Sequence, residues 1–238
     1  MKSDSRVALT IGSFNVASGL NTDFEAINRL LVKNKIDIVG LQEVDRFTVR
    51  NPTEMLAEIA KKDFPYISYG KTMDWHGGGD YGIGIASKFP HTKVYNEKYN
   101  VTGEEDRVFQ KVSFEVTSGI EVVFFNTHLA FESKEIRKYQ VEQLLEAVKK
   151  EKNPYYIITG DFNFDQGTEE WLAFKEFNLS NGKNDQWFDT FLYYEEGMKS
   201  RAIDNIIVSK NIEIKDVYLS STPLSDHGLL VAQIEFTV

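Results

Sequence analysis

The sequence predicts an α/β protein with mixed sheets and helices outside them, and three observations support this. Short β-branched runs alternate with amphipathic segments between Val7 and Ile59. The middle, from Tyr66 to His128, carries strand-like runs punctuated by glycine and polar turns, with no helical pattern. The rest returns to strands through one long helix. No low-complexity tract, Pro-rich linker or like-charge block divides the chain, so residues 1–238 read as one domain.

The elements follow in order. Val7–Val16 is a strand ending at Asn15. Asn21-Thr22-Asp23 supply cap residues for a helix whose apolar positions are Phe24, Ile27, Leu30 and Leu31. Ile36–Leu41 is a short apolar run, read as a buried strand that stops at Gln42-Glu43. Asn51-Pro52-Thr53-Glu54 opens a second helix with apolar Met55, Leu56 and Ile59. Strands are expected at Tyr66–Met73, Tyr81–Ser87, Lys93–Tyr99, Arg107–Val116 and Glu121–His128. Ser133–Lys150 reads as the long helix and Tyr155–Thr159 as a strand running into Gly160-Asp161. The last strands are Ala202–Ser209, Glu213–Leu219 and Leu229–Phe236.

Composition narrows the chemistry. The 238 residues include 27 Lys plus Arg, 36 Asp plus Glu, four His and no Cys, for a net charge of −9. Zero Cys excludes disulfides, thiolate–zinc sites and cysteine nucleophiles. With four His, metal chemistry must rest on oxygen ligands, which suit Mg²⁺, Mn²⁺ or Ca²⁺. The acidic balance argues against a broad basic face for nucleic acid. The opening MKSDSRV has no signal-peptide core, and Val122-Val123-Phe124-Phe125 is too short to span a bilayer, so a soluble cytoplasmic protein is expected.

Polar residues collect where strands end, which is where α/β proteins build sites. Asn15, Glu43, His128, Asp161, Asn163, Asp204, Asp226 and His227 all lie at or beside such positions. Each has an ordinary reading alone: a turn amide for Asn15, an exposed acid for Glu43, a simple turn for Asp161-Phe162-Asn163, a buried histidine for His128. Asp204 is harder to dismiss, because an acid between Ile203 and Ile206 is costly to bury unpaired.

Seven segments, in order, carry a resemblance: SFNV (13–16), LQEV (41–44), YGIGIASKFP (81–90), NTHL (126–129), TGDFN (159–163), RAIDNIIVS (201–209) and SDHGLL (225–230). Together they resemble the endonuclease/exonuclease/phosphatase superfamily, the DNase I-like metal-dependent phosphohydrolases. The resemblance implies a four-layered α/β sandwich, with two mixed β-sheets packed face to face and helices outside. It implies Glu43 as a metal ligand for Mg²⁺ or Mn²⁺, Asn15 beside it, and Asp226 as a second carboxylate near the metal. His227 is then the general base or the cation that holds phosphate, with Asp204 orienting its ring. Asp161 positions or deprotonates the attacking water, and Asn163 and His128 bind non-bridging oxygens. Arg107 reads equally as a substrate contact or a solvated strand-end cation. Arg137 and Gln140 read as buttresses of the loop bearing His128, and His76 and His91 as surface residues. The Gly77–Gly79 run reads as a flexible loop, a lid or a phosphate cradle.

The expected activity is metal-dependent phosphoester hydrolysis, by a phosphodiesterase or a phosphatase. His128 replaces the tyrosine expected of the AP-endonuclease branch and looks more like the phosphatase, sphingomyelinase and tyrosyl-DNA phosphodiesterase branches. The 41 positions from Asn163 to Asp204 lack a basic, aromatic-interleaved insertion for gripping DNA. No apolar hairpin suits membrane insertion. A small phosphoester is therefore the expected partner, with a nuclease and an inactive binding module as alternatives.

Overall fold

The computed structural model describes residues 6–18, 20, 22–193 and 201–238. Asn21, expected among the cap residues, and the opening residues 1–5 lie outside them. The elements are β1 (Arg6–Asn15), α1 (Phe24–Lys33), β2 (Ile38–Arg46), α2 (Met55–Ala60), β3 (Tyr66–Asp74) and β4 (Asp80–Ser87). They continue with β5 (His91–Lys98), β6 (Val108–Thr117), β7 (Ile120–His128), α3 (Lys134–Lys149) and β8 (Tyr156–Asp161). The chain ends with β9 (Asn178–Leu179), β10 (Asp204–Val208), β11 (Glu213–Ser220) and β12 (Leu229–Thr237).

Two six-stranded sheets run in the orders β11-β12-β1-β2-β4-β3 and β5-β6-β7-β8-β10-β9. Each is mixed: β1 pairs in parallel with β2 and β7 with β8, while the remaining neighbours are antiparallel. Both sheets are covered on both faces, so their central strands are apolar at odd and even positions alike. In β7, Val122 and Phe124 face the other sheet, while Val123 and Phe125 face the outside. The inter-sheet core also takes Leu9, Ile11, Ile157, Ile206 and Ile234. Outside one sheet, Ile27 and Leu31 of α1 and Leu56 and Ile59 of α2 meet Val39 and Leu41. Outside the other, Val141, Leu144 and Val148 of α3 meet Phe125 and Ile158. The four layers are those expected.

Helix starts follow their caps. Asp23 Oδ1 accepts the Ala26 N–H at 2.9 Å, and Ser133 Oγ accepts that of Ile136 at 3.4 Å. Gly77–Gly79, at φ +88, +114 and +81, form the β3–β4 turn, and Trp75 of that turn lines the cavity at the strand ends. Two expectations are corrected. β2 does not stop at Gln42-Glu43 but continues to Arg46 across a bulge. His91 is half-buried, its Nδ1 2.6 Å from Ser68 Oγ, whereas His76 is exposed.

Burial lowers the His91 pKa from 6.5 to about 4. The unfolded chain therefore binds a proton between those values that the folded chain resists. Stability is full above pH 6.5 and falls as pH drops toward 4. The loss should be about 1–2 kcal/mol, discounted for a half-exposed ring. Urea denaturation at both ends of that window should show a smaller pH dependence in His91→Gln than in the parent chain. Equal slopes would remove His91 from the account.

Candidate active site

The site grows out of strand periodicity. Side chains alternate across a strand, so residues two apart share a face. In β1 the inward series is Leu9, Ile11, Ser13, Asn15; in β7 it is Val122, Phe124, Asn126, His128. In β8 it is Ile157, Thr159, Asp161, and antiparallel β10 begins on Asp204 before Ile206 and Val208. Each inward face thus changes from apolar to polar toward the same end. The cavity of about 290 Å³ lies there, with Glu43, Asp161, His128 and His227 among its walls.

Beneath it lies a buried polar layer. Asn126 Nδ2 donates to the carbonyls of Leu41 and Gly84, both at 2.9 Å. Its Oδ1 accepts from Gln42 Nε2 at 2.8 Å and Thr159 Oγ1 at 3.2 Å. The bonds to Leu41, Gly84 and Gln42 cross from one sheet to the other under the site, and the Thr159 bond braces Asn126 within its own sheet.

Glu43 reaches the cavity through the β2 bulge. Leu41 pairs with Gly84 and Val44 with Gly82, so β2 carries one extra residue there. Glu43 sits in the bulge at φ +57. Leu41 and Val44 both stay in the outer core, and Gln42 and Glu43 both turn inward. Asn15 Nδ2 then donates to Glu43 Oε1 and to Asp161 Oδ2, each at 3.0 Å, while its Oδ1 accepts the Ala17 N–H at 3.0 Å. Burial raises the Glu43 pKa, and the Asn15 bond and the charge of His227 temper the rise.

His227 is oriented from behind. Its Nδ1 lies 2.8 Å from Asp204 Oδ2, and its Nε2 faces Asp161 Oδ2 at 3.6 Å. Burial works to lower its pKa, but Asp204, Asp161 and Asp226 outweigh that and raise it to about 10. The ring is therefore an imidazolium at neutral pH. Asp161 is pushed up to about 7, first by burial and then by Asp204, against the pull of His227 and Asn15. Its Oδ1 accepts the backbone N–H of Asn163 at 3.0 Å. Asn163 holds a left-handed turn at φ +53, a conformation asparagine tolerates, and its Nδ2 donates to the Leu129 carbonyl at 3.0 Å.

His128 has the opposite character. Arg107 Nη1 lies 3.1 Å from its Nδ1, and a guanidinium only donates, so the ring proton sits on Nε2. That N–H faces Asp161 Oδ2 at 3.6 Å. Burial, Arg107 and His227 all lower the His128 pKa, which keeps the ring neutral. Arg107 is buried rather than solvated, with 3% exposure, and its Nε has no partner. Asp226 is the outermost acid, its Oδ1 4.0 Å from His227 Nε2. Ser225 Oγ ties this loop to the Asn15 carbonyl at 2.7 Å. Arg137 and Gln140 hold the loop after His128: Nη1 donates to the Phe131 carbonyl at 3.0 Å, and Oε1 accepts the Ala130 N–H at 2.9 Å.

Six of the eight strand-end residues and Arg107 thus line one cavity, while Asn15 and Asp204 bond to its lining residues from behind. Sequence reasoning missed Glu105, Tyr81, Arg50, Trp75, Phe131 and Phe191, which complete its walls, and the Asn126–Gln42–Thr159 layer below. Periodicity could have found Asn126, two residues before His128. The wall residues come from turns and loops, where no period operates.

The donor set fits a hard divalent cation. The available ligands are carboxylates and an amide, and Asp204 Oδ1 is buried without a partner. Ligand atoms of Asp161, Asp204 and His227 lie within 4.8 Å of one another. The His227–Asp204 bond already engages two of those side chains with each other. Glu43 and Asp226 are more accessible and keep oxygen atoms facing the cavity.

Several solved structures share this fold. An endonuclease/exonuclease/phosphatase from Beutenbergia cavernae superposes with a TM-score of 0.79 at 19% identity, covering 96% of this chain and 72% of its own. Mannosyl-6-phosphatase of Bacteroides thetaiotaomicron gives 0.69 at 22%, covering 95% and 99%. The catalytic domain of human nocturnin, with bound sulfate, gives 0.68 at 17%, covering 98% and 96%. No curated protein matches by sequence. The model of the Endonuclease/Exonuclease/phosphatase family, whose members are generally hydrolases of phosphoesters, matches residues 12–227. By that match over nearly its whole length, the chain belongs to the endonuclease/exonuclease/phosphatase family.

Proposed function

We propose that this protein is a divalent-metal-dependent phosphoester hydrolase that attacks phosphorus with an activated water. One observation carries the reading: Asn15, His128 and His227, from three separate segments, all aim a nitrogen at the single atom Asp161 Oδ2. The three donors orient this carboxylate at the cavity and favour its charged form, the form able to take a proton from water. With a pKa near 7, Asp161 exchanges protons readily at neutral pH and is assigned as acceptor for the attacking water. His227, fixed as a cation by Asp204, holds a non-bridging oxygen and stabilises charge on the phosphoryl group. It is thus assigned the phosphate-holding role rather than that of base. The Nε2–H of neutral His128 and the guanidinium of Arg107, both in the cavity wall, take the remaining oxygens. Asn163 closes the far side, with one amide hydrogen held by Leu129.

Glu43 and Asp226 would hold Mg²⁺ or Mn²⁺, with Asn15 beside them. The ion would neutralise phosphate oxygens and make bound water more acidic. The cavity's volume and acidic walls favour a small phosphoester over nucleic acid. Among the described residues no helix is long and apolar enough to cross a membrane.

Turnover of methyl 4-nitrophenyl phosphate with Mg²⁺ or Mn²⁺ tests the reading. Chelation should remove at least about 99% of the rate, and added metal should restore it. Activity indifferent to chelator would overturn the metal assignment. No activity with any small phosphoester would favour a binding module.

A further inference from the structure

Glu105 lines the cavity, and neither the proposed chemistry nor the sequence motifs use it. Its Oε2 lies 3.1 Å from Arg107 Nη1, the same nitrogen that serves His128. It is not a loosely placed acid. The segment carrying it is held by Lys98–Asp106 at 2.8 Å, by Gln143 Oε1 on the Asn100 N–H at 2.9 Å, and by Glu132 on the Glu104 N–H.

The balance of charge gives this contact its meaning. Three cations line the cavity among the described residues: Arg50, Arg107 and His227. Arg50 is bound at two nitrogens by Asp45, at 2.7 and 2.9 Å. His227 is matched by Asp204. A divalent ion at Glu43 and Asp226 would be balanced by those two carboxylates. Arg107 is left as the cavity cation not bound by a structural acid, and Glu105 already pairs with it. A second negative charge on the substrate would therefore meet a carboxylate with no cation to spare.

We propose that Glu105 sets the charge of the accepted substrate, favouring the monoanion of a phosphodiester over the dianion of a phosphomonoester. The inference rests on the cavity being a phosphoester site, and it goes further by choosing between the two ester classes. Like charges a few ångströms apart in a partly buried site differ strongly in energy, whereas one more substituent on phosphorus does not.

Two readouts test it, one independent of turnover. Calorimetry with Mg²⁺ present compares inorganic phosphate, at a pH where it is dianionic, with dimethyl phosphate. Kinetics compares 4-nitrophenyl phosphate with methyl 4-nitrophenyl phosphate, which share a leaving group. Glu105→Gln should shift both the affinity ratio and the kcat/KM ratio toward the dianion by about tenfold or more. Glu104→Gln, which removes an exposed neighbouring acid and keeps the backbone N–H that anchors the segment, should leave both ratios in place. An unchanged ratio in Glu105→Gln, an equal shift in Glu104→Gln, or no binding of either anion by the parent chain would overturn the proposal. A shifted affinity ratio without turnover of either ester would instead refute the hydrolase reading and leave this inference standing.

Discussion

Replacing Asp161 with asparagine should lower kcat by about a thousandfold or more, roughly 4 kcal/mol of transition-state stabilisation, while the protein stays folded. The substitution keeps the shape of the side chain, and its oxygen can still accept from Asn15 or from the Asn163 N–H. It removes the one property the neighbours are arranged around, a carboxylate oxygen able to take a proton between the rings of His128 and His227. KM should change far less, because the phosphate contacts come from other residues. Thermal stability should hold or rise, since burial and the repulsion of Asp204 both act against this charge. Steady-state kinetics beside a melting curve checks both parts. A loss below about tenfold would remove Asp161 from proton transfer.

Gly40→Ala should be strongly damaging for so small a substitution, costing about 3 kcal/mol or more. Gly40 lies in β2 opposite the polar layer that joins the two sheets. A Cβ there would sit 2.6 Å from Asn126 Oδ1 and closer still to Thr159 Oγ1. Neither atom can yield cheaply, because Asn126 Oδ1 accepts the bond from Gln42 across the sheets and Thr159 Oγ1 is bonded to Asn126 and the Phe125 carbonyl. The requirement is for space, since Gly40 is not among the glycines with positive φ. Urea denaturation should show the loss directly. Thr159→Ala in the same chain should recover part of it by clearing one of the two obstructions. A Gly40→Ala protein as stable as the parent would mean that the sheets can separate locally.

Most of the scaffold was legible because its signals are periodic. The strands around Phe124 and Ile158 and the helix over Ile136–Val148 announce themselves by apolar spacing. The ends of β1, β7 and β8 follow from where that spacing turns polar, which is why Asn15, His128 and Asp161 were found. The β2 bulge was invisible, because LQEV reads as a strand end whether the chain stops or continues past an extra residue. Glu43 therefore lines the cavity from a bulge, where its sequence position suggests a strand end. Between Gly167 and Asp185 the chain forms short 3₁₀ turns at Glu169–Phe174 and Lys183–Asp185, with the two-residue β9 between them. Trp171, Phe174 and Phe177 recur at every third position, a spacing too brief to distinguish from a loop. Glu105 carried no sequence signal, since an acid in GEED looks like solvated surface until Arg107 is seen beside it.

The pairing of β12 with β1 joins residues more than two hundred positions apart, and the loop before β12 delivers Asp226 and His227. During synthesis every other member of the constellation emerges earlier, yet His227 has no place until β12 docks beside β1. A nascent or truncated chain stopping short of that strand would carry Asp161 and Glu43 without the cation that faces Asp161. The site is therefore coupled to closure of the first sheet. β12 also buries Leu230, Ala232 and Ile234 between the sheets, so a defect in this pairing would cost site and fold together.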